Sequence, residues 1–256
     1  GKREAAPALL DGLRALEYRG YDSAGIAIMG EDGLELAKTS GRIESLCELT
    51  ENGRALHGCS GIGHTRWATH GAPTDTNAHP HVSNDGRFAV VHNGIIENYR
   101  SLRDELIRRG CTFASETDTE VIVHLLETCY TGDLKEAVMR TTARLEGSYA
   151  LGIVCSEAPG TLYAVRESSP LILGLGVGEN YFASDVTALV AHTKNAVFLE
   201  DGQFAELWPE GVTVFDCAGR PVDAPVTRIE WGVEAAEKGG YEHFMLKEIM
   251  EQPRAV

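Results

Sequence analysis

The sequence of 256 residues is short of positive charge and has no long apolar run. Its 23 Lys and Arg face 38 Asp and Glu, so the formal net charge is −15. This excess argues against a role in binding nucleic acid or an anionic membrane. No segment approaches the roughly 18 apolar residues of a membrane-spanning helix, and no secretion signal opens the chain. We therefore expect a cytoplasmic protein with no nucleic-acid or membrane partner.

Paired cysteines are also missing. No Cys-x-x-Cys spacing occurs, which argues against a zinc site and against a disulfide framework. We expect free, mostly buried thiols in a reducing cytoplasm. The six cysteines are Cys47, Cys59, Cys111, Cys129, Cys155 and Cys217.

The spacing of apolar residues predicts both helices and strands. Apolar positions three and four apart predict an amphipathic helix over Ala5–Leu16. Apolar runs on both sides of Glu31-Asp32-Gly33 predict a hairpin of residues 24–29 and 34–40. Further helices are predicted at 99–109, 118–130 and 134–145, and further strands at 61–65, 88–92, 149–155, 162–165, 171–175, 181–183, 196–199, 204–208 and 212–215. Strands and helices that are grouped in this way favour an α+β fold with mainly antiparallel sheets covered by helices.

Two boundaries can be predicted from local composition. Thr117 and Glu120 have the spacing of a capping box, in which Thr117 is the N-cap and Glu120 reaches back to its amide. Residues 232–241 are rich in Glu and Gly and are typical of a linker. We therefore expect one domain over 1–231, followed over 232–256 by a linker and the start of another element.

Two sequence patterns resemble ligand-binding sites, but the residues around them favour a structural interpretation. The glycines at 174, 176 and 178 lack the spacing and the following helix of a dinucleotide site, so a plain turn is favoured. His79-Pro80-His81, with three more histidines nearby, could hold a metal ion. No carboxylate or cysteine has a matching spacing, so loop or core histidines are the better interpretation.

Four further residues leave two interpretations open. Asn93-Gly94 is typical of a type I′ hairpin turn, but the Asn amide and the Gly N–H could also converge on one oxygen as an oxyanion hole. Arg66 could form a surface ion pair, and Asp118 could simply favour a helix N-terminus. Together, the two could instead hold the carboxylate and the ammonium of a free amino acid.

Four segments, taken in order, resemble the class II glutamine amidotransferases. Within that class the sequence is most similar to the group that converts fructose 6-phosphate to glucosamine 6-phosphate, because of the Trp-Ala-Thr-His-Gly variant and residues 77–81. The resemblance covers essentially the whole chain. The segments are RGYDSAG (19–25), GHTRWATHG (63–71), HNGIIEN (92–98) and SETDTE (115–120).

The resemblance implies the fold of an N-terminal-nucleophile hydrolase, a four-layer αββα sandwich with mainly antiparallel sheets. It implies a Cys nucleophile at the amino terminus of a strand about seven residues before Gly1, where the Cys thiolate attacks glutamine. None of the six cysteines here carries a free α-amine, so we expect this chain alone to be inactive. By the same resemblance, Asn93 and Gly94 form the oxyanion hole, and the substrate-binding residues are Arg66, Trp67, Thr69, His70, His79 and Asp118.

The resemblance also implies the partners. The substrate is L-glutamine, and the released ammonia passes to a C-terminal sugar isomerase domain that binds fructose 6-phosphate. We expect a homodimer formed through that domain, and neither a metal nor an organic cofactor. Three alternatives stay open: a non-catalytic glutamine-sensing module, an amidotransferase with another acceptor, and a metallohydrolase built on the histidines.

Overall fold

The computed structural model describes residues 1–230 and the pair Ile249–Met250. Five α-helices lie within the first of these ranges, and none of the helices described is long and apolar enough to cross a membrane. The helices are α1 (Ala5–Leu16), α2 (Ile43–Leu49), α3 (Tyr99–Arg108), α4 (Glu120–Cys129) and α5 (Leu134–Thr142).

Fourteen strands are present in residues 1–230, and every strand pair among them is antiparallel. The strands are β1 (Ser23–Gly30), β2 (Gly33–Ser40), β3 (Gly61–Arg66), β4 (His81–Val82), β5 (Phe88–Ile96), β6 (Gly147–Cys155), β7 (Leu162–Glu167), β8 (Ile172–Leu175), β9 (Asn180–Ala183), β10 (Asn195–Phe198), β11 (Phe204–Trp208), β12 (Gly211–Phe215), β13 (Pro221–Val222) and β14 (Thr227–Arg228).

The strands form three sheets, and the sheets are arranged in two layers. A large sheet has the order β13-β12-β11-β7-β6-β5-β4. Two smaller sheets, β2-β1-β3 and β14-β10-β8-β9, pack on one face of it. Helices α3, α4 and α5 cover its other face, while α1 and α2 cover the sheet β2-β1-β3 from outside. This is the predicted αββα sandwich with antiparallel sheets, and the prediction is confirmed.

The two small sheets end on either side of one gap. Strand β3 is the last strand of one sheet and β9 is the last strand of the other, and both border the same cavity of 480 Å³. Gly1 lies at the start of both strands: its amino group donates to the carbonyl of Cys59 at 3.0 Å, and a Cβ added to it would lie 3.1 Å from the Cβ of Glu179. Within the described part of the chain, no strand pairs with the open edge of β3 or of β9.

Most predicted elements are observed. The helix over Ala5–Leu16 and the hairpin β1–β2 are confirmed, because their apolar residues face the core beneath α1. Gly176 and Gly178 fall at the turn between β8 and β9, as predicted, whereas Gly174 lies within β8 and pairs with Tyr181. Helix α2 was not predicted, since its seven residues are too few for a clear period.

Two predictions are wrong in part, and one lies largely outside the described residues. Helix α4 begins at Glu120 with Thr119 as its N-cap, so the capping box on Thr117 does not form. The Glu120 carboxylate accepts instead from the amides of Ala114 and Ser115, at 2.8 and 2.7 Å. All six cysteines are free but only Cys47 and Cys155 are buried. The predicted linker over 232–241 is not among the residues that the structure describes.

Candidate active site

The cavity between the two sheet layers collects most of the predicted site residues. They come from the end of β3, the loop after it, strand β5 and the loop before α4. His70 is not among the residues that line the cavity, but its Nδ1 lies 3.8 Å from Oδ1 of Asp118. The predicted residues that line it are Arg66, Trp67, Thr69, His79, Asn93, Gly94 and Asp118.

Asn93 and Gly94 lie inside strand β5 and do not form a hairpin turn. They pair with Ala150 and Tyr149 of β6, and the strand continues to Ile96. The turn interpretation is therefore wrong. Gly94 has φ +126°, and a Cβ at this position would overlap the carbonyl oxygen of Ser148. Only glycine fits here without strain, because other residues rarely adopt such a φ.

Asp118 is held in place by the backbone of β5. Its side chain is 5% exposed, and its Oδ2 accepts a hydrogen bond from the N–H of Ile96 at 2.8 Å. The other oxygen, Oδ1, faces His70 at 3.8 Å. One oxygen therefore anchors the carboxylate, while the other remains available to a cation in the cavity.

Arg66 is buried at the end of β3. Its guanidinium donates to the carbonyl of His70, and to those of Gly71 and Ala72 at 3.3 Å each. Burial lowers the pKa of Arg66, and the charges of Asp118 and Asp22 oppose that shift. A guanidinium has five N–H groups. The three bonds leave the Nε–H and one N–H of Nη1 without a hydrogen-bond partner among the described residues.

The loop after β3 places an exposed aromatic pair at the mouth of the cavity. The side chain of Trp67 is more than half exposed and packs edge-on against Tyr21, with ring centroids 5.3 Å apart. The amide of Ala68 donates to Asp22 at 2.9 Å, which ties this loop to the start of β1. Thr69 lies on the same loop and lines the cavity.

Four buried histidines lie next to the cavity or directly behind it. The ring of His79 lies 4.4 Å from that of His64 and 4.9 Å from that of His81. Burial lowers the pKa of His64 to about 4 and that of His81 to about 3. It lowers the pKa of His79 and His92 as well, so all four rings are neutral at pH 7. Among the described residues, no group of three or more His, Cys, Asp or Glu side chains is placed to hold a metal ion.

Side chains outside the predicted substrate set hold these loops, and one of them, Lys38, carries no signal in the sequence. Lys38 Nζ donates to the carbonyls of Ala78 at 2.9 Å and Pro80 at 3.4 Å, on either side of His79. His81 Nε2 lies 3.0 Å from Oγ1 of Thr117, the residue before Asp118. His64, one of the histidines near His79 in the sequence, also lines the cavity, and its side chain shares a face of β3 with Arg66.

Comparison with known proteins identifies close relatives. The sequence profile described as "Glutamine amidotransferase domain" matches residues 64–191. Glutamine–fructose-6-phosphate aminotransferase from Symbiobacterium thermophilum is 56% identical over 257 residues, and that from one strain of Thermus thermophilus is 54% identical over 253 residues. The matches cover 100% and 99% of this chain. The chain spans only 42% of the length of either relative.

A solved structure shares the fold. The glutamine phosphoribosylpyrophosphate amidotransferase of B. subtilis, complexed with ADP and GMP, superposes with a TM-score of 0.73 at 28% sequence identity. The superposition covers 85% of this chain and 48% of that one. The fold is therefore shared with a protein whose name states a different acceptor from the one in the names of the two relatives.

Proposed function

Because this chain belongs to the glutamine amidotransferase family, we propose that it hydrolyses L-glutamine to glutamate and ammonia. The observation that carries the proposal is the grouping of Arg66, Asp118, Asn93 and Gly94 around one cavity. This set offers a cation for a carboxylate, an anion for an ammonium and two donors for an oxyanion. A free amino acid with a side-chain carboxamide needs all three.

The two charged residues select the α-carbon end of the substrate. The unpartnered N–H groups of Arg66 receive the α-carboxylate, and Oδ1 of Asp118 accepts from the α-ammonium. Both side chains are almost completely buried, so water competes weakly for these contacts. Thr69 and His70, on the loop that Arg66 holds, complete the binding site for this end of the substrate.

The carboxamide end lies at β5. A thiolate attacks the carbonyl carbon, a C–S bond forms, and the carbonyl electron pair moves onto oxygen. The Asn93 amide and the Gly94 N–H stabilise that oxyanion. The α-amine of the nucleophile takes up the thiol proton when the thiolate forms. The carbonyl then re-forms, the C–N bond breaks, and the α-ammonium returns that proton to the departing nitrogen, which leaves as ammonia. Water hydrolyses the thioester to glutamate and restores the thiol. His79 is the further histidine beside this centre.

The nucleophile in this proposal is a cysteine on a strand that precedes Gly1 and fills the gap between β3 and β9. Gly1 sits beside Cys59 and Glu179, so the strand runs from Gly1 along both open edges. Seven residues in extended conformation span about 23 Å. Along β3, Arg66 is also seven residues from Cys59. A strand that runs antiparallel to β3 and ends at Gly1 therefore has the residue seven positions before Gly1 next to Arg66.

Cys59 itself is a poor candidate for this role. It is exposed and lies at the opposite end of β3 from Arg66. Gly61, two residues later, is already five residues or about 16 Å from Arg66 along the strand. Its thiol would also lack an adjacent α-amine as the base.

The acceptor in the proposal is fructose 6-phosphate, which the names of the relatives specify. Ammonia passes to an isomerase domain beyond this chain and gives glucosamine 6-phosphate in a cytoplasmic homodimer. Trp67, exposed at the mouth of the cavity, is the gate between the two centres. The share of each relative that the chain leaves unmatched gives room for such a domain.

The test uses the full-length protein, with L-glutamine as nitrogen donor. Glutamate and glucosamine 6-phosphate are both measured, with fructose 6-phosphate and with phosphoribosyl pyrophosphate as alternative acceptors. We expect the two products in equal amounts with the hexose phosphate only. Glutamine binding without turnover would instead indicate a sensing module, and turnover that needs phosphoribosyl pyrophosphate would assign another acceptor.

A further inference from the structure

The apolar layer between the sheets ends in a polar contact. On β3, Ile62 is buried, and His64 is the next residue on the same face. On β5, Val91 is likewise buried, and Asn93 is the next residue on the same face. Ile62 and Val91 belong to the apolar cluster between the sheets. One step further along both strands, Nε2 of His64 lies 2.9 Å from Oδ1 of Asn93.

The chemistry of the two groups fixes the direction of this hydrogen bond. A carboxamide oxygen only accepts, so Nε2 of His64 carries the proton and donates. The other ring nitrogen, Nδ1, is buried without a partner. Since burial lowers the pKa of His64 to about 4, the ring stays neutral at pH 7 and Nδ1 carries no proton.

A histidine at this place costs stability relative to an apolar residue of the same size, because one of its nitrogens is buried and unsatisfied. Among the described side chains it hydrogen-bonds only Asn93, and the backbone of His92 also contacts the ring and opposes the lowering of its pKa. The adjacent ring of His79, 4.4 Å away, restricts the tilt of the imidazole. The arrangement thus directs a single donor at a single oxygen.

Asn93 needs such a partner because the two ends of a carboxamide are nearly the same size. Without one, either the oxygen or the NH₂ group could face the cavity. An oxyanion is stabilised by the NH₂ group and repelled by the oxygen. With Oδ1 held by His64, Nδ2 is the end that remains for the cavity.

We propose that His64 is a positioning residue that orients the Asn93 carboxamide so that its NH₂ group faces the oxyanion. The inference rests on the proposed glutaminase function. In this role His64, although it lines the cavity, acts through Asn93 and does not hold the substrate. Its effect should therefore fall on the chemical steps and leave substrate binding unchanged.

The test compares His64→Met with His64→Gln in the full-length protein. Methionine keeps the volume and removes the donor, whereas the Gln amide nitrogen can occupy the place of the imidazole Nε2. We expect kcat for glutamate release to fall about 10²-fold in His64→Met, the effect of losing one oxyanion donor, with KM little changed. His64→Gln should recover most of that loss.

A second measurement follows the oxyanion directly. The γ-aldehyde analogue of glutamine forms a tetrahedral adduct with a cysteine thiolate, and its affinity reports transition-state stabilisation. His64→Met should weaken the aldehyde by the factor found for kcat, and leave the affinity for L-glutamate unchanged. Ile62→Val, two residues earlier in the same layer, is the control: it should lower the thermal unfolding midpoint without changing kcat.

Several results would overturn the inference. They are a His64→Met enzyme with the kcat of the wild type, an equal loss in Met and Gln variants, or a change confined to KM. An active wild-type enzyme with any of these results rejects the positioning role alone. A wild-type protein that releases no glutamate from L-glutamine rejects the proposed function and the inference with it.

Discussion

The Asp118 carboxylate accepts a hydrogen bond from the backbone N–H of Ile96 at 2.8 Å. Ile96 follows Asn93 by three residues on the same strand. The group that holds the substrate ammonium is thereby fixed relative to the group that stabilises the oxyanion. In the proposed mechanism, the separation between Asp118 and Asn93 determines where the carboxamide of the bound glutamine lies.

Asp118→Asn separates the charge of this residue from its anchoring bond. The amide oxygen can still accept from Ile96, but the negative charge is lost. A hydrogen bond to a charged group contributes about 1.5–3 kcal/mol, so we expect KM for L-glutamine to rise between about 10- and 100-fold. Steady-state kinetics of glutamate release measures this. Unchanged KM would show that Asp118 does not contact the ammonium.

Gly94→Ala tests the close approach of β5 to β6. The substitution forces a Cβ against the carbonyl of Ser148 at a φ of +126°. We expect it to destabilise the domain by about 1–3 kcal/mol or more and to abolish turnover. The matched control is Gly132→Ala, where φ is +104° but no atom lies within 4 Å of the added Cβ. Equal losses of stability in denaturant unfolding would contradict the role of the contact.

Acidification should destabilise the domain between about pH 6.5 and 4. The pKa of His64 is lowered to about 4 and that of His81 to about 3, so in this interval the unfolded chain binds protons that the folded chain does not. The free energy of unfolding therefore falls as the pH falls, by up to about 1.4 kcal/mol per pH unit for each such histidine.

Denaturant unfolding at pH 7, 5.5 and 4.5 measures this slope. His64→Gln removes one titrating group, so the free energy of unfolding should change less steeply with pH, by up to about 1.4 kcal/mol per pH unit. A second loss should follow below pH 4.5. Burial disfavours the charge of Glu120, but hydrogen bonds from His124, Ser115 and two amides outweigh burial and lower its pKa to about 2. Stability that does not change between pH 6.5 and 4.5 would contradict the burial of neutral histidines.

The sequence predicts the fold better than it predicts the contacts within the site. Helix α1 and strand β11 follow the predicted bounds because periodicity reports which face is buried. The Asn93-Gly94 pair is misleading, since the residues that suit a turn also suit a strand where β6 approaches closely. The start of α4 was misplaced because Glu120 binds the amides of Ala114 and Ser115 rather than that of Thr117.

Pairings between distant segments could not be derived from local patterns. His64 and Asn93 are 29 residues apart and meet only because two sheets pack face to face. Arg66 and Asp118 each have an ordinary structural interpretation when taken alone. Their common cavity is a property of the tertiary structure, and the resemblance to a family, rather than any spacing, led to the prediction that they act together.

The central claim is that glutamine binds between Arg66 and Asp118, next to a cysteine delivered by a strand ahead of Gly1. The most direct test treats the full-length protein with a glutamine analogue whose carboxamide is replaced by an electrophilic diazoketone, and maps the adduct by peptide mass spectrometry. We predict one adduct, on the cysteine ahead of Gly1, which excess L-glutamine prevents and Asp118→Asn slows. An adduct on Cys59, or one that L-glutamine does not prevent, would contradict the account.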